Sequence, residues 1–258
     1  GLKLCTAPYV ARMDADDISF PDRFQLQLDY LIANPHVVAC SGSYQCINAN
    51  GDMFAIHIAN NRNPNLRAIP AEPHFLLHPL LMMRRNAVVK IGGYRNVLHC
   101  EDADLYYRLA EHGKLHNLTE VLGLYRVHNA SVSMITESNR IIQCLNSQVL
   151  ALCAFQKTRK NTRLNTGCKA LKYIAEHAVK AIAEKKLSLT AATDQLQSHI
   201  RLDDRDYKWL RVAVFAKYLQ ESRFRNFSIS NDDMDTATSL AKKVFFIPWK
   251  WRLSFLRE

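Results

Sequence analysis

Hydrophobic periodicity changes character near residue 135, and this change limits the possible folds of the 258-residue chain more than any other feature. Up to Val127, apolar runs of strand length alternate with helical stripes; after Ser133 only helical spacing remains. Ile141, Leu145, Val149 and Leu152 form one stripe, and Leu171, Ile174, Ala178 and Ile182 a second. Residues 189–200 and 207–219 read as two further helices, the latter with Trp209, Val212, Phe215 and Leu219. The expected architecture is a mixed α/β part over residues 1–135 and a basic, all-α extension over 136–258. Charge divides at the same place. Residues 1–130 hold 12 Lys+Arg and 12 Asp+Glu, whereas residues 131–258 hold the other 22 basic and 12 acidic groups and carry the net charge of +10.

Within the first part, residues 8–13 read as a buried strand running into acidic residues. Pro21 marks a helix start, Phe24, Leu28, Leu31 and Ile32 its apolar face, and Asn34-Pro35 its stop. Residues 37–40 read as a small strand, and residues 44–48 and 53–58 flank the hairpin signal Asn50-Gly51. Residues 60–73 are loop-rich, with three prolines and four asparagines. A strand over 76–83, a helical turn over 86–90 ended by Gly92-Gly93, a helix over 101–112 ended by Gly113 and a strand over 121–127 complete the reading. The seven cysteines lie at scattered spacings without a C-x-x-C pair, so reduced core thiols and a cytoplasmic setting are expected. No apolar run is long enough to cross a bilayer, and no signal peptide is visible.

The densest chemistry is Arg12-Met13-Asp14-Ala15-Asp16-Asp17. Three carboxylates at the end of an apolar strand repel one another unless a cation screens them. Mg²⁺ or Mn²⁺ suits such oxygen ligands, with phosphates completing the shell. A solvated acidic turn capping the next helix fits the same residues. Glu101-Asp102, with Asp104 behind, is a second carboxylate group; it also reads as favourable charge at a helix N-terminus. His78 and His128, each beside an apolar run, read on their own more readily as structural histidines than as ligands.

The order of these pieces is more specific than any one of them. Tyr9-Val10-Ala11-Arg12-Met13-Asp14-Ala15-Asp16-Asp17-Ile18 is followed by His78-Pro79 and Gly92-Gly93-Tyr94. Then come Glu101-Asp102-Ala103-Asp104-Leu105-Tyr106-Tyr107-Arg108-Leu109 and Tyr125-Arg126-Val127-His128-Asn129-Ala130-Ser131-Val132-Ser133. This text resembles the inverting glycosyltransferases of family 2, which have a GT-A fold, over residues 1 to about 133. The resemblance implies an α/β fold, a partial GT-A mixed sheet with helices. It implies a hexosyltransferase that uses a nucleotide-sugar donor, a UDP-sugar foremost, and a cell-envelope or lipid-linked glycan acceptor. Asp14, Asp16 and His128 correspond to residues at a Mn²⁺ or Mg²⁺ ion, and Asp102 to the catalytic base, supported by Glu101. Arg12, Asp14, Asp17, His78 and Gly93 correspond to donor- and substrate-binding positions.

The family's opening V-S-I-I-I-P-x-Y-N-like segment has no counterpart here, so this chain is expected to bind nucleotide sugar poorly. In the basic part, aromatic and basic residues alternate over 244–258, as interfacial segments do; contact with the inner face of an anionic membrane and folding back onto the enzyme both fit. Asp203–Asp206 and Asp232–Asp235 read as helix caps. Nucleic acid is not an expected partner, because no zinc spacing, RNP-like motif or recognition helix is present. Two other functions remain open. A metal-dependent phosphohydrolase also places D-x-D after a strand, though Ile18-Ser19-Phe20-Pro21 lacks its continuation. A non-catalytic remnant would use the helices as a binding module.

Overall fold

A mixed six-stranded sheet is the frame on which the acidic residues are placed. The computed structural model describes residues 1–66, 68, 70–72, 76–128, 137–158, 192–194 and 204–225. Its strands are β1 (Tyr9–Ala11), β2 (Ile18–Ser19), β3 (Val37–Ile47), β4 (Met53–His57), β5 (Met82–Arg84) and β6 (Lys114–Arg126). The order is β1-β5-β3-β6-β2, and β4 pairs with β3 off this path. Only the β3–β6 pair is parallel; the other pairs are antiparallel.

Two strands are longer than their sequence suggests. Residues 37–40 and 44–48 were expected as separate strands, but β3 runs unbroken through Ser41-Gly42-Ser43. The small residues there mark close packing instead of a break: a Cβ on Gly42 would lie 2.7 Å from Leu122 Cδ1. β6 begins at Lys114, seven residues before the expected start at Val121, because Lys114 to Leu118, polar Asn117 among them, pair along β3 and Thr119 O accepts from Ser43 Oγ. Residues 76–83 are not one strand. A 3-10 turn at His78–Leu80, set by Pro79, precedes the three-residue β5.

Helices cover both faces. α1 (Arg23–Ala33) packs Leu31 against Val37, Cys40, Met82 and Leu118. α2 (Arg85–Lys90) and α3 (Glu101–Leu109) bring Ala87, Val88, Leu105 and Leu109 onto Val38, Leu81 and Met83. Burial of each such Leu, Val or Met side chain contributes about 1.5–3 kcal/mol. The expected apolar face of α1 is corrected. Phe24 and Ile32 are exposed, and the buried stripe is Arg23, Gln27 and Leu31. α2 ends as expected at Gly92-Gly93, both at positive φ. α3 ends at Leu109, three residues before His112, and Gly113 serves a close approach: a Cβ there would meet His36 O at 2.7 Å.

The hairpin between β3 and β4 turns at Gly51, φ +95°, with Asn48 Oδ1 accepting from the amides of Asn50 and Asp52. Met53, Phe54 and Ile56 of β4 are exposed.

The chain divides into two compact units, Gly1–Leu66 with Glu72–Thr136, and Arg67–Ala71 with Glu137–Glu258. In the second, α4 (Glu137–Thr158) buries the expected stripe Ile141, Leu145, Val149 and Leu152. α5 (Asp204–Arg225) buries Leu210, Val214, Phe215 and Tyr218, and its first turn contains Asp204 and Asp206. The expected helical stripe at 171–182, the Asp232–Asp235 cap and the segment 244–258 lie outside the described residues. Six cysteines, at positions 5, 40, 46, 100, 144 and 153, are free thiols, and burial pushes the Cys40 thiol up to about 12.

Candidate active site

The acidic residues occupy a six-residue crossing. β1 forms one edge of the sheet order and β2 the other, so residues 12–17 carry the chain past the ends of the strands between them. The crossing is anchored where it leaves β1, by the Arg12 amide donating to Leu81 O at 2.8 Å. It is anchored again at Ile18, which pairs with Leu124 of β6.

Each carboxylate in the crossing has a different partner. Asp14 is gripped by Arg12 through two contacts, Nη2–Oδ1 at 2.5 Å and Nη1–Oδ2 at 2.8 Å. Asp16 Oδ2 lies 3.0 Å from His128 Nε2, and that hydrogen bond holds the Asp16 carboxyl below its usual range. Asp17 Oδ1 accepts from the Arg126 amide at 2.8 Å, while its Oδ2 is buried without a hydrogen-bond partner. Burial pushes the Asp17 carboxyl up.

A buried cation lies beneath. Arg23 is 0% exposed, and its Nη2 donates to Arg12 O at 2.7 Å. Its Nε donates to Gln27 Oε1 at 3.0 Å, and Gln27 Nε2 in turn donates to Leu80 O at 2.8 Å. Burial lowers the Arg23 guanidinium to about 10, which leaves it charged at neutral pH. Sequence reasoning missed both residues because a polar i, i+4 pair reads as a solvated face. The available signal was that Arg23 and Gln27 share the stripe of Leu31.

The second carboxylate group opens α3. His99 takes φ +60°, a left-handed turn costly for a side chain with a Cβ, and it turns the chain just before Glu101 and Asp102. Glu101, Asp102 and Asp104 sit in the first turn, where the helix dipole favours negative charge. Asp102 Oδ1 accepts from the Ala103 amide at 2.7 Å. Burial is the largest influence on Asp102 and pushes its carboxyl up, with Glu101 adding to it and Arg12 opposing. Asp104 is structural: it is 0% exposed and accepts from Arg95 and from Arg108 Nε, the latter at 2.8 Å.

His78 and Tyr94 link the two groups. His78 Nε2 and the Tyr94 hydroxyl share a hydrogen bond of 2.8 Å. Burial drives His78 down to about 3 and Tyr94 up to about 12, so both are neutral at physiological pH. Tyr94 also feels the charges of Arg12, Asp102, Glu101 and Asp14. Arg12 thus grips Asp14 directly, and its charge acts on His78, Tyr94 and Asp102. Tyr94 was legible only as part of the Gly92-Gly93-Tyr94 text. Gly93 is fixed by conformation, at φ +70° with Leu2 packed where a Cβ would be.

Among the described residues, no group of three or more His, Cys, Asp or Glu side chains is arranged to hold a metal ion. Asp16 and His128 supply one carboxylate and one imidazole, and Asp14 is engaged by Arg12. Two protein ligands suit an ion bound chiefly through phosphate oxygens, so this donor set fits Mg²⁺ or Mn²⁺ held together with a diphosphate.

Residues 1–92 match the family model described as glycosyl transferase family 2. The O-antigen biosynthesis glycosyltransferase WbnJ of Escherichia coli is 33% identical over 130 residues, 49% of this chain and 50% of that protein. The UDP-Gal:alpha-D-GlcNAc-diphosphoundecaprenol beta-1,3-galactosyltransferase of Escherichia coli is 30% identical over 114 residues, 44% of this chain and 41% of that protein. The chain spans about half the length of the curated relatives it matches. A mannosyltransferase from Pyrobaculum calidifontis, solved with GDP-Man and Mn²⁺, aligns over 88% of this chain and 65% of that one, at 16% identity and a TM-score of 0.40.

Proposed function

We propose that this chain carries the base and the metal-holding residues of an inverting glycosyltransferase. It moves a hexose from a nucleotide-diphosphate donor, a UDP-sugar, to a hydroxyl of a cell-envelope or lipid-linked glycan. The observation that carries the reading is a buried carboxylate, Asp102, opening α3, its carboxyl pushed up by burial, together with the acidic crossing in which Asp16 pairs with His128 and Arg12 grips Asp14. The family match over residues 1–92 supports the reaction class, and the similarity to the two Escherichia coli glycosyltransferases supports the acceptor class.

Asp102 takes the proton of the acceptor hydroxyl, and burial makes its carboxylate a stronger base. The acceptor oxygen forms its bond to the anomeric carbon as the bond from that carbon to the diphosphate oxygen breaks. That electron pair leaves with the nucleotide diphosphate, and the single displacement inverts the configuration. Glu101 orients the acceptor, and the neutral His78–Tyr94 pair offers it a polar contact without charge. Asp16 and His128 would hold a divalent ion, which when bound would supply Lewis-acid neutralisation of the leaving diphosphate. Asp14 would serve the donor's ribose or the ion, Arg12 would meet the nucleotide, and Asp17 supports the loop through Arg126.

The test is donor screening and transfer with the full-length protein and its Asp102→Asn and Asp16→Ala variants. Asp102→Asn is expected to abolish transfer and keep metal-dependent donor binding, while Asp16→Ala weakens the donor complex itself. Wild-type turnover in Asp102→Asn overturns the base assignment. No helix of the described residues is long and apolar enough to cross a membrane. The proposed peripheral contact rests on the composition of residues 244–258; equal co-sedimentation with anionic liposomes when they are deleted overturns it.

A further inference from the structure

We propose that Arg126 is the positioning residue of the acidic crossing: it fixes the main chain of Asp16 against the end of β6 and the β3–β4 hairpin, and so sets the Asp16–His128 pair. The inference rests on the reading of that pair as the metal-holding one.

Arg126 is the last residue of β6 and bonds in three directions. Its amide donates to Asp17 Oδ1 at 2.8 Å. Its Nε donates to Asp16 O at 2.7 Å. Its Nη1 donates to Asn48 O at 3.0 Å and to Ala49 O at 3.2 Å. One residue therefore joins three chain segments: the acidic crossing, the end of a sheet strand and a hairpin turn. The next residue continues the anchoring, with the Val127 amide donating to Ile47 O at 2.8 Å. His128 then lies within reach of Asp16 Oδ2.

The physical need is plain. Each loop residue fixed in one conformation costs about 1–2 kcal/mol of backbone entropy. Asp16 and Asp17 lie in a turn outside any strand, and two neighbouring carboxylates oppose close packing. A rigid strand end that supplies donors to both residues removes that disorder before any ligand arrives. The fork of a guanidinium suits the task, since its donors point in fixed directions toward carbonyls on separate segments. A lysine ammonium is a single point and cannot serve Asp16 O and Asn48 O in the same geometry. Arg126 grips the main chain of Asp16 and its charge also helps hold the Asp16 carboxyl down, so amide exchange, which reads the main chain, is the measurement that reports positioning.

Loss of a residue that orients metal ligands typically lowers metal affinity about 10–100-fold. The experiment titrates the 258-residue chain with Mn²⁺ alone, reading free ion by electron paramagnetic resonance. It compares wild type, Arg126→Ala, Arg126→Lys and His128→Ala, and measures amide exchange over residues 13–19 and 48–52 without metal. Expected results are at least about tenfold weaker Mn²⁺ binding in Arg126→Ala, partial retention in Arg126→Lys, and faster exchange confined to those two segments. Methylguanidinium restores slow exchange in Arg126→Ala. If Arg126→Ala does not fold, Arg126→Lys carries the comparison. Wild-type exchange in the Arg126 variants overturns the inference. If wild type and His128→Ala bind Mn²⁺ equally, the metal reading falls, and the exchange measurement still decides the role of Arg126.

Discussion

Arg12 holds Asp14 by both ends of its guanidinium, so the first carboxylate of the D-x-D text is neutralised by its own neighbour. The pair is partly exposed, 29% for Arg12 and 41% for Asp14, which places its strength at roughly 0.2–1 kcal/mol. Arg12→Gln frees Asp14 to act as a third ligand. Mn²⁺ binding to the ligand-free chain is expected to tighten by roughly two- to five-fold. Calorimetric titration of the two proteins checks this, and weaker binding in Arg12→Gln would show that the pair supports the site instead of competing with it.

Asp102 links activity and stability to pH in opposite senses. In the proposed role of base it must be ionised, so kcat is expected to fall as pH drops through a carboxyl value raised above 3.8. Removing a general base costs about 10²–10⁴ in rate, which is the loss expected for Asp102→Asn. Stability runs the other way. Between the unfolded value and the raised folded one, the unfolded chain ionises first, so stability declines with rising pH and stays lower above that window. Asp102→Asn should therefore melt higher than wild type at pH 7 and not at pH 3. A thermal scan at both values reads the difference.

His78 gives acid sensitivity. Its folded value near 3 lies below the ordinary 6.5, so on acidification the unfolded chain takes up the proton first. Stability is lost from pH 6.5 downward, by roughly 2 kcal/mol at pH 5. Urea unfolding of wild type and His78→Gln at pH 7 and pH 5 tests this; an equal loss in both proteins would refute it.

Asp104 is where α3 is most vulnerable. Its buried carboxylate is shared by Arg95 and Arg108, which lie 41% and 14% exposed. Asp104→Ala removes the buried carboxylate that both cations share and is expected to cost about 3–5 kcal/mol. Arg95 adjoins Tyr94, so the same change should loosen the His78–Tyr94 bond. A double-mutant cycle of Asp104→Ala with Arg95→Ala should be strongly non-additive; additive costs would exclude the shared network.

What the sequence made legible follows from local rules. The Asn50-Gly51 hairpin, the Gly92-Gly93 stop and the stripe from Ile141 to Leu152 depend on residues near in sequence, and all three appear where expected. The long strands β3 and β6 depend on each other. Ser41-Gly42-Ser43 looks like a break until Leu122 is known to lie against Gly42. Arg23 and Gln27 likewise look solvated until carbonyls of residues 12, 40 and 80 are brought to them. The order of acidic motifs pointed to the site, but not to the Asp16–His128 pair's anchoring by Arg126, because those contacts join segments tens of residues apart.

The exposed strand β4 affects practical work on this protein. Among the described residues it pairs on one side only, with β3, and Met53, Phe54 and Ile56 stand in solvent. No lysine, arginine or proline interrupts residues 53–58 to discourage another strand from adding there. Stored at high concentration, the protein will tend to stick to itself through this hairpin. Since Arg126 fastens the same hairpin to the acidic crossing, protein concentration becomes a hidden variable in every binding measurement, and dilution series belong beside each titration.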